Sequence, residues 1–179
     1  MEGSQGKDGL MRKLFVLLFC SVSFLFLISA CENKEDTSVE IAEEFLTEFY
    51  NVEDSSVDLN KMNEEQLIDN QNKFSIYFTE KEFEDLANKR FFLIPQEVAS
   101  KKDNTISLQK IKFEKNEQDQ SESESLDFNH SFTLVFTDSE GNEVDKVKIE
   151  GQMTIVDTED GLKIDRYYDG QTLKDILYR

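Results

Sequence analysis

The chain has 179 residues, with 38 acidic side chains against 20 basic ones and a formal net charge of −18. That balance excludes nucleic-acid binding, because phosphate contacts need clustered Lys and Arg. An anionic lipid surface would also repel the body of the protein, so residence on a membrane would require an anchor.

The first 30 residues differ from the rest. Arg12 and Lys13 form a positive start, Leu14 to Ile28 is an almost unbroken apolar run, and small Ser29 and Ala30 precede Cys31. A charged start, a short apolar run and small residues before a cleavage point describe a signal peptide. The run is shorter than the ~20 apolar residues of a spanning helix. Met1 and Met11 both stand as starts.

The stretch Leu27-Ile28-Ser29-Ala30-Cys31 resembles the lipobox of bacterial lipoproteins. The resemblance implies cleavage after Ala30, a diacylglyceryl group on the Cys31 thiol and further fatty acylation of the palmitate type. Cys31 then becomes the new N-terminus. Cys20 follows bulky Phe19 and does not fit that pattern. The alternatives are an ordinary signal peptide, or an uncleaved anchor, with an incidental cysteine. Each buried methylene contributes about 0.8 kcal/mol, so two acyl chains hold a protein stably on a membrane where one does not. Loss of residues 1–30 removes Lys7, Arg12, Lys13, Glu2 and Asp8, and leaves 149 residues of net charge −19 with one cysteine. No intrachain disulfide is then available. A chain of this length fits one domain that stands on its core.

Residues 31–36 read as a polar tether. Thr37 and Glu40 have the spacing of a capping box, which predicts a helix from Thr37. Ile41, Ala42, Phe45, Leu46, Phe49 and Tyr50 form its apolar stripe. The polar segment 51–60 reads as a loop, and 63–72 as a weaker helix using Leu67 and Ile68. Phe74, Ile76, Tyr77 and Phe78 read as a buried connector. Thr79 and Glu82 repeat the capping spacing, which predicts a helix from about Glu80 to Arg90 with Phe83, Leu86 and Ala87 inward. The apolar run Phe91 to Ile94 is expected to end at Pro95, the one proline.

The remainder reads as strands. Thr105 to Lys115 alternates but shifts phase between Leu108 and Ile111, which predicts a β-bulge. The acidic segment 117–125 reads as a mobile hairpin loop. Leu126, Phe128, His130, Phe132, Leu134 and Phe136 alternate strictly, as in a half-buried strand. A turn at 138–142 leads to a strand with Val147, Ile149, Met153 and Ile155 on one face, where Gly151 suggests a kink or bulge. A turn at 157–161 leads to a last strand with Leu162, Ile164 and Tyr168. Residues 172–178 read as a helical turn or an edge segment. Helices first and strands second predict an α+β fold, with N-terminal helices on a curved antiparallel sheet of about four strands.

Three segments carry a resemblance to the nuclear transport factor 2-like (cystatin-like) superfamily. They are AEEFLTEFY (42–50), FTEKEFEDL (78–86) and the closing hairpin GQMTIVDTEDGLKIDRYYD (151–169). Many small lipoproteins of low-GC Gram-positive bacteria are similar. The resemblance covers nearly all of a domain at 37–179. It implies a cone-like curved sheet around a long helix, often with a pocket at the open end. Fold does not fix function in this superfamily.

His130 is the one histidine. It shares a strand face with Phe128 and Phe132, and with Tyr168 these are the pocket candidates. As an acid or base His130 would need a carboxylate partner. No partner is evident in the sequence, which favours a hydrogen-bonded core or rim histidine. Tyr167 and Tyr168, beside Asp165 and Arg166, read as a pocket mouth or as ordinary packing. The acidic turns at 138–142 and 157–161 do not fit the twelve-residue calcium loop and read as solvated hairpins. Zinc spacing, a phosphate-cradling loop and a nucleophile elbow are absent from the sequence, so no cofactor or metal is expected. The expectation is a membrane-anchored, extracytoplasmic, non-enzymatic binding or scaffold module for an envelope protein or a small ligand. The alternative is a pocket enzyme of isomerase or hydrolase type using His130.

Overall fold

The computed structural model describes residues 34–116, 125–170 and 172–177. The chain divides between Thr37 and Ser38, and the fold described below is that of Ser38–Arg179. Cys31, Ala30 and the whole signal-peptide reading lie outside the described residues, as does most of the acidic segment at 117–125.

Helix α1 covers residues 34–50, so it starts earlier than the Thr37 capping spacing predicts. Ser38, Ala42, Phe45, Leu46, Phe49 and Tyr50 are its buried stripe, and the glutamates at 40, 43, 44 and 48 face water or lie at the margin. Helix α2, Glu64–Asn72, has a true capping box: Asn63 accepts from the Gln66 amide, and Gln66 reaches back to the Asn63 amide. It buries no residue fully, and Ile68 is exposed. Phe74 and Phe78 are buried on either side of the 3-10 turn Ser75–Tyr77, but Ile76 points outward at 64% exposure.

Helix α3, Glu80–Asn88, shows half of the predicted capping box. The Thr79 hydroxyl accepts from the Glu82 amide, but the Thr79 amide donates to Ile164 O, on the last strand. Glu82 in turn accepts from the Tyr167 amide at 2.9 Å. One carboxylate thus ties α3 to the sheet instead of closing its own cap. Arg90, in the left-handed region at φ 57°, stops α3. Pro95 does not end structure as expected. It sits in the first turn of helix α4, Ile94–Lys102, where its missing amide costs nothing.

The sheet is an antiparallel meander in the order β1 (Thr105–Lys115), β2 (Leu126–Thr137), β3 (Glu143–Thr158) and β4 (Gly161–Tyr168). The predicted bulge in β1 is present. Gln109 faces Thr133 and Lys112 faces Ser131, so β1 carries one extra residue, with Lys110 at φ 58°. A similar extra residue sits at Asp165 of β4, because Thr154 faces Arg166 and Ile155 faces Ile164. Gly151, by contrast, interrupts nothing: the β2–β3 register runs through His130↔Gly151 without a shift. Helix α5, Thr172–Leu177, follows β4 and buries Leu173. The helices pack on one face of this sheet, and the fold is α+β.

The core is dominated by aromatic rings. Phe45 meets Phe49, Phe74, Phe78, Tyr77 and Tyr167 at centroid distances of 4.8–6.2 Å. Phe92 stacks on Phe74 at 5.1 Å and Phe83 at 5.4 Å. Edge-to-face and offset contacts of this kind add to the burial of the rings themselves.

Candidate functional site

The β2 alternation puts Phe128, His130 and Phe132 on the helix-covered face, where they are 2%, 3% and 1% exposed. The imidazole lies parallel to the Phe132 ring at 5.8 Å and the Tyr167 ring at 5.4 Å, with Phe113 tilted against it at 6.3 Å. Neither ring nitrogen has a hydrogen-bond partner among the described residues. The carboxylate that acid–base work would need is not beside it, and the histidine expected to be hydrogen-bonded in the core or at its rim is buried without a hydrogen bond among the described residues. Burial pushes the His130 pKa down to about 4, so at neutral pH the ring is an uncharged filler of the aromatic stack.

Gly151 explains how that ring fits. A Cβ at this position would lie 2.1 Å from the Tyr168 carbonyl oxygen and 2.5 Å from His130 Nε2. Glycine is required by the close approach of three strands, not by a kink.

The buried polar chemistry lies next to this stack. The Tyr50 hydroxyl donates to Asp169 Oδ2 at 2.7 Å and lies 2.9 Å from the Tyr167 hydroxyl. Tyr50 has one proton and gives it to Asp169, so Tyr167 donates to Tyr50. Burial, with Tyr167 and Asp169 nearby, pushes the Tyr50 hydroxyl well above its usual range. Burial and Asp169 do the same to Tyr167. Both phenols stay protonated and serve as donors. Of the two readings of Tyr167, pocket mouth or ordinary packing, the structure shows packing, with the residue interior at 5% exposure, while Tyr168 is the exposed neighbour at 50%. The polar role of Tyr50, placed on the buried stripe of the first helix, and the whole of Asp169 escaped the sequence reading. Their signals were a tyrosine hydroxyl on a buried stripe and a carboxylate in the inward phase after Tyr167.

Two hollows border these residues. A cavity of about 140 Å3 lies between α3, α4, β4 and α5, lined by Phe49, Phe91, Tyr167 and Asp169, with Lys89 and Lys174 also in the lining. A broader depression of about 620 Å3 lies on the polar side of the sheet, bordered by Asn129, Gln152, Tyr168 and His130. The four pocket candidates thus do not line one pocket. Phe132 is in the core, Phe128 is buried but borders a smaller hollow of about 110 Å3 beside Asn129 and Gln152, and His130 and Tyr168 both border the depression.

The acidic turns serve themselves. Asp138 Oδ1 accepts from the amides of Glu140 at 3.0 Å and Asn142 at 2.8 Å, which holds its carboxyl below the usual range. In the second turn Thr158 donates to Gly161 O and accepts from the Asp160 amide. No group of three His, Cys, Asp or Glu among the described residues is arranged to hold a metal ion. No helix among the described residues is long and apolar enough to cross a membrane.

His130 gives an acid-sensitivity prediction. Above pH 6.5 the imidazole is neutral in both the folded and the unfolded chain. As the pH falls, the unfolded chain takes the proton first, so stability is lost from about pH 6.5 down to the folded pKa of about 4. Between pH 7 and 4.5 the wild type should lose about 2 kcal/mol more than His130→Leu, from urea unfolding at both pH values. Equal losses would show that the ring is solvated.

Comparison with known protein families and with curated proteins finds no match. Among solved structures, a periplasmic fragment of TraM aligns with a TM-score of 0.49 at 10% sequence identity, over 74% of this chain and 94% of that one.

Proposed function

We propose that the protein is an extracytoplasmic lipoprotein, held to the cell membrane by acyl chains on Cys31, whose domain is a non-enzymatic binding module. The observation that carries this reading is the sequence from Arg12 to Cys31: a basic start, a short apolar run, two small residues and a cysteine, ahead of a separate folded unit. His130, 3% exposed and with no hydrogen-bond partner among the described residues, supports binding over catalysis, because acid–base work needs a group oriented by a partner. The chain's high negative charge makes the lipid, not the protein surface, the membrane contact.

Metabolic labelling with a palmitate analogue tests it. The wild type should carry label and sediment with membranes, and Cys31→Ala should lose both label and sedimentation. Label and membrane residence that survive Cys31→Ala would overturn the reading.

A further inference from the structure

We propose that the polar side of the sheet is a glycan-binding surface, taking an oligosaccharide of N-acetylated pyranose units with Tyr168 as its stacking platform. This deepens the binding-module reading above and rests on it. Register places Glu114, Asn129, Gln152 and Tyr168 in one row across all four strands. Tyr168 is half exposed. Its ring offers a flat apolar platform and its hydroxyl a polar edge.

The residues beside it are ordered for directional hydrogen bonding. Arg166 donates to Gln152 Oε1 at 3.0 Å, and Gln152 donates to Asn129 Oδ1 at 3.3 Å. The two amides are thus held in line on an exposed surface. A pyranose presents an apolar C–H face to a ring and hydroxyls to amides. An acetamido group adds a coplanar donor and acceptor, for which Asn129 keeps its amide hydrogens and Gln152 Oε1 the lone pair that Arg166 does not use. Polar groups that fix orientation around an apolar contact are the usual make-up of a small-ligand site.

Charge and size agree. Two lysines, Lys112 and Lys148, and two glutamates, Glu114 and Glu150, border the depression. The face is therefore balanced in a chain of net charge −18, which suits an uncharged ligand. Its volume of about 620 Å3 lies within the roughly 300–1,000 Å3 of ligand sites.

Calorimetric titration of the full chain in a sugar-free detergent tests the proposal, with the N-acetylglucosamine tetramer and cellotetraose as probes. The N-acetylated tetramer should bind saturably. Tyr168→Ala should weaken binding at least about tenfold, Gln152→Ala should weaken it too, and Ile76→Ala should leave it unchanged. Each variant's unfolding curve checks that it is folded. Absence of binding, or wild-type binding by Tyr168→Ala, overturns the proposal. Equal binding of cellotetraose overturns the N-acetylated assignment. Photo-crosslinking from position 152 in cells that captures a protein in place of glycan overturns it as well. Cys31→Ala should keep full glycan affinity, so failure of the anchor and failure of this surface are separate results.

Discussion

Gly151→Ala should destabilise the domain by about 3 kcal/mol or more, at the upper end of overpacking costs. The added methyl would sit 2.1 Å from the backbone oxygen of Tyr168 and 2.5 Å from His130 Nε2. A flexible side-chain tip could yield, but a carbonyl oxygen cannot move without shifting β4. β4 in turn is fixed by its pairing with β3, by the Thr79 amide on Ile164 O and by the Glu82 carboxylate on the Tyr167 amide. The double variant Gly151→Ala/His130→Ala should recover only part of the loss, because it relieves the imidazole contact and leaves the carbonyl. Urea unfolding of the two variants decides the matter. A loss below about 1 kcal/mol for the single variant would mean that the strands are not so close.

Phe45→Ala should cost about 3–5 kcal/mol. Phe45 has no exposed surface and touches aromatic rings from its own helix, from the segment before α3 and from β4. Those neighbours are themselves held by other rings, so they cannot collapse into the space, and an unfilled cavity adds to the lost burial. Ile76→Ala is the contrast. At 64% exposure it should change stability by less than about 0.5 kcal/mol. Similar losses for the two variants in denaturant unfolding would contradict the core described here.

The periodic parts of this fold could be read directly. The stripe of α1 and the alternation of β2 are statements about which face is wet, and the structure keeps them. The bulge in β1 was legible because an extra residue must move the apolar phase from Leu108 to Ile111. What escaped was whatever depends on distant partners. The Thr79–Glu82 spacing predicts a closed cap, yet the strand edge of β4 offers both groups better partners from 85 or more residues away. Pro95 reads as a stop because local rules alone do not distinguish the residue after a helix from the first turn of the next one. Gly151 reads as a kink because a close approach leaves no mark on its own strand. The same limit applies to the candidate site. His130 could be placed on the inner face, but its lack of a partner among the described residues, and the Tyr50–Tyr167–Asp169 chain beside it, depend on how remote segments meet.

That hydroxyl chain joins α1 to residues 117 and 119 positions further on. The first helix therefore cannot complete its polar contacts until the last strand has been made. Loops of that length close slowly, and long-range pairings of this kind delay folding. A nascent chain still missing its C-terminus holds α1 with its interior tyrosine unsatisfied.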